Sequence, residues 1–96
     1  MNKPLKLSDE QIIIRLQEIK KNWSYVQGKL YAEFKFKDFV EAFGFMSKVA
    51  ILAESLHHHP EWSNVYNRVK IFLVTHDAGG VSAKDFELAK RIDQLL

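Results

Sequence analysis

Cysteine is absent from the 96 residues, which excludes both a disulfide scaffold and a thiolate metal site. A reducing compartment suits such a chain. No apolar run approaches the roughly 18 residues that a membrane span requires. The first residues, MNKPLKL, also lack the apolar core of a signal peptide. We therefore expect a soluble, cytoplasmic protein that makes no membrane contact.

The sequence also lacks a large excess of basic over acidic residues, or of acidic over basic ones. The 14 Lys and Arg residues against 12 Asp and Glu residues leave a formal net charge of +2. This balance is too weak to favour binding to nucleic acid or to an anionic membrane. Glycine and proline are also scarce, and no linker, repeat or low-complexity tract divides the chain. A chain of this length fits a single domain, which we expect to span residues 1–96.

Three segments repeat apolar residues with the period of a helix, each behind a Ser or Asp that can cap its first turn. The expected helices run from about Asp9 to Lys21, from Asp38 to His57 or His58, and from Ser82 onward. Lys20 and Lys21 are placed in the last turn of the first helix, where cations suit the helix dipole. The second helix has to end before Pro60, which cannot continue the helical hydrogen bonds. Its expected apolar stripe is Phe39, Ala42, Phe43, Met46, Val49, Ala50, Ala53 and Leu56.

Four further segments are typical of β-strands. Leu30–Phe36 alternates apolar and polar residues, as a half-buried strand does. Arg68–Thr75 is apolar on both faces, so it is either central or covered by a partner. Shorter candidates are Trp23–Val26 and Ser63–Tyr66. The order α-β-β-α-β-β-α predicts an α+β fold, a four-stranded antiparallel sheet with three helices on one face.

All four histidines lie close together, three at the end of the second helix and one at the end of a strand. They are His57, His58, His59 and His76. Three interpretations are open: a solvated surface run, a metal site, or a site for proton transfer. The metal interpretation lacks a histidine pair at positions i and i+4. An imidazole, with an ordinary pKa of about 6.5, can give or take a proton at neutral pH.

Three residues near the histidines have two interpretations each. Glu54 lies about one helical turn before the run and is either a surface carboxylate or a group that orients a histidine. Trp62 either fills the core or forms the flat wall of a site for an aromatic ring. Asp85 is interpreted as the cap of the third helix rather than as a catalytic acid.

Several short segments together resemble the pterin-4a-carbinolamine dehydratase family. They are ESLHHHPEW at 54–62, NVYN at 64–67, Thr75-His76, FKDF at 36–39 and AFGFM at 42–46. The resemblance covers the chain from Leu7 onward. It implies dehydration of 4a-hydroxytetrahydropterin to quinonoid dihydropterin, which recycles the pterin cofactor of aromatic amino acid hydroxylases. It also implies that the enzyme needs no metal and no organic cofactor.

The resemblance further implies roles for individual residues. His58 and His76 correspond to acid–base groups on the two faces of the pterin, and His59 contributes to binding and catalysis. The residues that correspond to the substrate pocket are Glu54, Pro60, Trp62 and Thr75. His57 stands where the family commonly has an acidic or other polar residue, and we expect it to be supporting or exposed.

Two expectations concern partners. The resemblance implies a homodimer or homotetramer, for which a strand with two apolar faces could provide a partner surface. An alternative function is a protein-binding or regulatory module of the dimerisation-cofactor type found among vertebrate relatives. Another alternative is a role in a different pterin-linked pathway. The sequence has no basic stripe that would favour direct contact with DNA.

Overall fold

The computed structural model describes residues 4–96, and its elements follow the order that the sequence predicts. They are α1 (Asp9–Leu16), β1 (Ser24–Val26), β2 (Lys29–Lys35), α2 (Phe39–Ser55), β3 (Glu61–Val65), β4 (Arg68–Leu73) and α3 (Ala83–Asp93). A 3₁₀ turn, His76–Ala78, separates β4 from α3. Within residues 4–96, no helix has the length and apolar character to cross a membrane.

The four strands form one antiparallel sheet in the order β1-β2-β4-β3. The prediction of an α+β fold with this sheet and three helices is therefore confirmed. A two-residue turn joins β1 to β2, with Gln27 and Gly28 both at positive φ (51° and 78°), as such hairpins require. β4 lies in the interior of the sheet, as one of the two expectations for this strand required. Val69, Ile71 and Leu73 on one face are buried, whereas Arg68 and Lys70 on the other face are exposed.

The core lies between the sheet and the helices. Along β2, the side chains of Leu30, Ala32 and Phe34 are buried, whereas Glu33 and Lys35 between and beyond them are exposed. This alternation confirms the face predicted for the strand. The largest fully buried apolar side chains are Ile12, Leu30, Ile71, Leu73, Leu88, Ile92, Val49, Val69 and Val81.

The predicted end of the first helix was wrong, because α1 ends at Leu16 rather than near Lys21. The backbone N–H of Lys20 donates to Asp93 Oδ2 at 2.9 Å, and Trp23 Nε1 donates to Asp93 Oδ1 at 2.8 Å. These bonds tie the segment after α1 to the last residue of α3. Lys20 Nζ also donates to the Asp93 carbonyl oxygen at 3.0 Å, so this cation lies at the C-terminal end of a different helix.

The predicted inner face of α2 was partly wrong. The buried residues are Ala42, Phe45, Val49 and Ala53. Phe39 and Phe43 are 47% and 56% exposed instead, and Ala50 is exposed as well. Apolar residues occupy more than one face of this helix, so their spacing alone could not select the face that meets the sheet. With Val40 and Ile51, which are 79% and 70% exposed, the two phenylalanines form what we call the outer surface of α2.

Candidate active site

The end of α2 sets the positions of the three consecutive histidines. The N–H of His58 donates to the carbonyl of Ala53 at 3.0 Å, and the N–H of His57 donates to that of Glu54 at 3.2 Å. Leu56 is the C-cap, and His57 follows it with a φ of 53°. This pair of bonds around a left-handed residue is the Schellman motif. The backbone leaves the helix at His57, so the three histidines do not keep helical spacing.

His58 is the least exposed member of the run. Its Nε2 lies 2.5 Å from Asp85 Oδ1, and the two side chains are 11% and 0% exposed. The other carboxylate oxygen of Asp85 accepts hydrogen bonds from Thr75 Oγ1 at 2.8 Å and from the Ser82 N–H at 2.9 Å. These fixed donors hold the carboxylate, and the carboxylate in turn holds the imidazole. A carboxylate oxygen without a proton can only accept hydrogen bonds, so the contact with Asp85 favours the tautomer of His58 that carries its proton on Nε2.

Asp85 has a second role that the sequence did not reveal. The capping box predicted from Ser82 and Asp85 is present at the start of α3. The same carboxylate also binds His58, 27 residues earlier in the chain. A Ser-x-x-Asp pattern signals the cap. Only the packing of α3 beside the end of α2 brings this carboxylate to a histidine.

His59 has a carboxylate partner at the surface. Its Nε2 lies 2.8 Å from Glu54 Oε1, and the side chains are 63% and 78% exposed. The hydrogen bond from His59 is the main reason that the pKa of Glu54 is lowered. Glu54 is therefore a surface carboxylate that also contacts a histidine, and its role in orienting His59 stays a prediction.

His76 is the third histidine with a carboxylate beside it. It begins the 3₁₀ turn after β4, where Thr75 is buried and forms an isolated bridge with Gly80. β4 itself ends at Leu73, two residues before the predicted end. His76 Nε2 lies 3.0 Å from Glu61 Oε2, and the imidazole is 77% exposed.

A cleft of about 270 Å³ brings all three predicted catalytic residues, His58, His59 and His76, together. Its lining consists of His57, His58, His59, Val74, Thr75, His76, Asp77 and Lys84. The sequence had not indicated a place in the site for Val74, Asp77 or Lys84. Within residues 4–96, no group of three or more His, Asp and Glu side chains is arranged to hold a metal ion.

Three of the residues predicted to bind substrate lie outside the lining of this cleft. Glu54 touches the cleft only through His59, and Pro60 is half-buried before β3. Trp62 is half-buried, lies opposite Ile71 in the sheet and packs against the core. The structure thus supports the core interpretation of Trp62, and its contact with a substrate ring stays a prediction.

Comparison with known proteins agrees with this arrangement. The profile of the family described as "Pterin 4 alpha carbinolamine dehydratase" matches residues 5–95. Proteins of Solibacter usitatus and Prochlorococcus marinus, each named "Putative pterin-4-alpha-carbinolamine dehydratase", are 56% and 51% identical to the chain over 90 residues. Each alignment covers 94% of this chain and 94% of the relative.

A solved structure is similar as well. It is described as a transcriptional coactivator/pterin dehydratase from Brucella melitensis, and it superposes with a TM-score of 0.88 at 40% sequence identity. The superposition covers 94% of this chain and 97% of the other. The fold, the histidine motif and the match over nearly the whole length lead to one conclusion. The chain belongs to the pterin-4-alpha-carbinolamine dehydratase family.

Proposed function

We propose that this protein dehydrates 4a-hydroxytetrahydropterin to quinonoid dihydropterin by histidine acid–base catalysis. Membership of the family and the names of its relatives support the reaction. The observation that carries the mechanism is the presence of His58 and His76 on one cleft, each with a carboxylate at Nε2. Two imidazoles in one cleft can supply both the acid and the base that an elimination needs.

The reaction is a balanced loss of water. The C4a–O bond breaks as the leaving hydroxyl takes up a proton, and a ring nitrogen of the pterin gives up a proton while a C=N bond forms. One imidazole donates the first proton and the other accepts the second. General acid–base catalysis of this kind contributes about 10² to 10⁴-fold to a rate. With one histidine on each face of the ring, the roles can exchange between the two stereoisomers of the substrate.

The remaining predicted site residues have supporting roles in this proposal. His59 contacts the substrate beside His58, and Glu54 orients His59. Thr75 forms part of the cleft and also donates to Asp85. Pro60 and Trp62 lie outside the lining of the cleft, and their contact with the substrate ring is the part of the proposal that rests on the family alone. The reaction needs neither a metal nor an organic cofactor, and its physiological place is the recycling of hydroxylase pterin in the cytoplasm.

Stopped-flow measurement of 4a-hydroxytetrahydropterin dehydration tests the proposal. The wild type is expected to exceed the buffer rate, and His58→Ala and His76→Ala are each expected to reduce kcat/KM by about 10²-fold or more. His57→Asn is the matched control, because Asn tolerates the left-handed backbone at this position. It is expected to keep wild-type activity. A wild-type rate equal to that of buffer would disprove the reaction, and full activity in His58→Ala would disprove the mechanism.

We also propose that the protein is a homo-oligomer in which a second copy covers the outer surface of α2. That surface extends along three helical turns, from Phe39 to Ile51, and its one polar side chain is that of Ser47. A Cβ placed on Gly44 would meet no atom within 4 Å, so nothing within the described chain covers the helix there. An uncharged stripe can pair with itself about a two-fold axis, as isologous interfaces do.

Sedimentation velocity in dilute solution tests the assembly. The wild type is expected to be a dimer or tetramer, and Phe43→Glu is expected to give a smaller species. Val65→Glu, at an exposed apolar residue of β3, is the matched control and is expected to leave the assembly unchanged. A monomeric wild type would overturn the proposal and would instead favour a different protein partner, as a coactivator-type role requires.

A further inference from the structure

Glu61 lies inside the histidine motif, and the mechanism above uses its contact with His76 without giving the residue a role of its own. It is the first residue of β3, and its carboxylate joins two side chains. Oε1 accepts a hydrogen bond from Lys29 Nζ at 2.6 Å, and Oε2 lies 3.0 Å from His76 Nε2. We propose that Glu61 is a positioning residue for His76 and that Lys29 holds Glu61 in place.

The sheet brings these three residues together. Lys29 is on β2 and Glu61 is on β3, with β4 between them in the strand order. Glu61 lies opposite Phe72 of β4 in the sheet register. Lys29 Nζ reaches across the same ring, 5.9 Å from its centroid, and Tyr31 packs against Phe72 at 4.7 Å between centroids. The aromatic pair thus supports the lysine side chain from β2 to β3, through a cation–π contact.

His76 has a particular need for such a partner. The backbone before it is fixed, because the N–H of Thr75 donates to the Gly80 carbonyl at 2.9 Å. Its imidazole, however, is 77% exposed, so packing does little to select one rotamer. Glu61 is the side chain that can hold the ring toward one direction. This inference rests on the proposed function, since it assigns Glu61 to the action of His76 in that reaction.

The charges around Glu61 make it suitable as an acceptor. The pKa of its carboxyl is lowered, mainly by the hydrogen bond from Lys29, against the opposing effect of partial burial and with a further contribution from His76. The group is therefore ionised at neutral pH and can only accept hydrogen bonds. Nε2 of His76 then carries its proton toward Glu61, which leaves Nδ1 for exchange with the substrate. Asp77 and Lys84 are the other charged residues that line the cleft with His76.

The dependence of one residue on another can be measured with double variants. In the wild-type background, Glu61→Ala is expected to reduce kcat/KM about 10-fold, mainly through kcat. This value is at the low end of the range for loss of a carboxylate that orients an imidazole. Glu61→Gln keeps an acceptor oxygen and is expected to restore part of that loss. In the His76→Ala background, Glu61→Ala is expected to have no further effect, because the group through which it acts is gone.

Lys29 is tested in the same way. In the wild-type background, Lys29→Ala is expected to reduce kcat/KM about two- to threefold, because removal of one member of an exposed ion pair has a small effect. In the Glu61→Ala background, the same change is expected to have no effect on kcat/KM. Glu33→Ala and Lys35→Ala are the matched controls. Both residues lie on the same face of β2 as Lys29. Glu33 Oε2 is paired with Arg68 Nη1 at a distance of 3.5 Å, and neither residue of this pair lines the cleft. Neither variant is expected to change the kinetics.

Two outcomes would disprove the role of Glu61 without disproving the proposed reaction. Full activity of Glu61→Ala in an active wild type, with His76→Ala impaired, would refute the inference alone. Equal losses from Glu61→Ala with and without His76 would also refute it, because they would show a merely structural effect.

A measurement that does not depend on activity tests the inference even if the wild type does not catalyse the reaction. The side-chain carboxyl ¹³C signal of Glu61, followed against pH, is expected to show that Lys29→Ala raises the pKa of Glu61 toward the ordinary 4.5. His76→Ala is expected to raise it less, because Lys29 is the larger cause. No change in either variant would show that the contacts do not hold Glu61, and would overturn the inference whatever the reaction.

Discussion

The pair of His58 with Asp85 and the pair of His76 with Glu61 join the same two chemical groups in different surroundings. The first pair is almost fully enclosed, at 11% and 0% exposure, whereas the second is exposed at 77% and 41%. Asp85 receives its other hydrogen bonds from Thr75 and Ser82, both buried. Glu61 receives its other bond from a lysine that is itself partly in water.

The difference matters because burial decides what happens when a partner is removed. Loss of one member of a buried pair leaves polar groups that neither protein nor water satisfies. Loss of one member of an exposed pair costs little, since water replaces the partner. We therefore expect the enclosed pair to affect both stability and catalysis, and the exposed pairs to affect mainly catalysis, with only a small contribution to stability.

The largest effect is expected from Asp85→Ala. It removes the acceptor of His58, Thr75 and the Ser82 N–H, so the free energy of unfolding is expected to fall by about 3 kcal/mol. The loss of orientation at His58 is expected to reduce kcat/KM about 100-fold. Urea unfolding and the dehydration assay measure the two effects.

The control for Asp85→Ala is Asp93→Ala, at the other end of the same helix. Asp93 is also buried and accepts from Trp23 and Lys20, but it has no contact with the cleft. This variant is expected to lose a comparable amount of stability while its folded fraction keeps wild-type kcat. Equal losses of kcat in both variants would contradict the idea that Asp85 acts through His58.

A smaller effect is expected from Glu54→Gln at the exposed partner of His59. The amide oxygen can still accept a hydrogen bond, and water reaches both side chains. We expect kcat/KM to fall less than about threefold and the unfolding midpoint at neutral pH to change little. A loss as large as that of Asp85→Ala would show that exposure is a poor guide to the importance of these pairs.

A backbone change at His57 is expected to have a small stabilising effect. This residue holds a left-handed conformation that glycine adopts without strain. His57→Gly is therefore expected to raise the free energy of unfolding by about 0.5 kcal/mol. The same change at His59, whose φ is not positive, is expected to give no such gain. A destabilised His57→Gly would mean that the imidazole of His57 makes a contribution larger than its backbone strain.

The smallest effect is expected in the acid range. The carboxyls of Glu54 and Glu61 have lowered pKa values in the folded protein, so the unfolded chain binds more protons as the pH falls below about 4.5. Stability from these groups is present above that pH and is lost as the pH falls through their folded pKa values. The double variant Glu54→Gln/Glu61→Gln is expected to show a shallower loss than the wild type in urea unfolding between pH 5 and pH 3, roughly the range of carboxyl titration. Identical slopes would contradict this contribution.

Local patterns predicted the fold where one segment contains its own signal. The serines that precede the first and third helices, Ser8 and Ser82, cap α1 and α3 as predicted, and the alternation along β2 gives the correct face. Where two segments compete, local patterns were not enough. The sequence pattern predicts that Lys20 is part of the first helix. In the structure, the backbone N–H of Lys20 instead donates a hydrogen bond to Asp93, 73 residues away. The choice of Phe45 over Phe43 for the core depends on where the sheet lies.

The site shows the same division. The clustering of histidines and the motif around Pro60 indicated His58, His59 and His76, and the structure places all three on one cleft. The carboxylate partners of His58 and His76 could not be predicted in the same way. Asp85 has an adequate local role as a cap, and the contact of Glu61 with His76 depends on strand pairing. When a carboxylate already has a role in its own segment, such as capping a helix, the sequence contains no further sign that it also contacts a residue far along the chain.

The bonds of Asp85 also have a consequence for the folding of the site. His58 follows α2, Thr75 follows β4 and Ser82 precedes α3, so one carboxylate ties together three parts of the chain. A partly folded form that has lost any of the three elements has no assembled site. The amide hydrogen of Ser82, donated to this carboxylate, should therefore exchange with deuterium only through openings that also dismantle the cleft. Its exchange rate gives a direct measure of how often a folded molecule is briefly without its site.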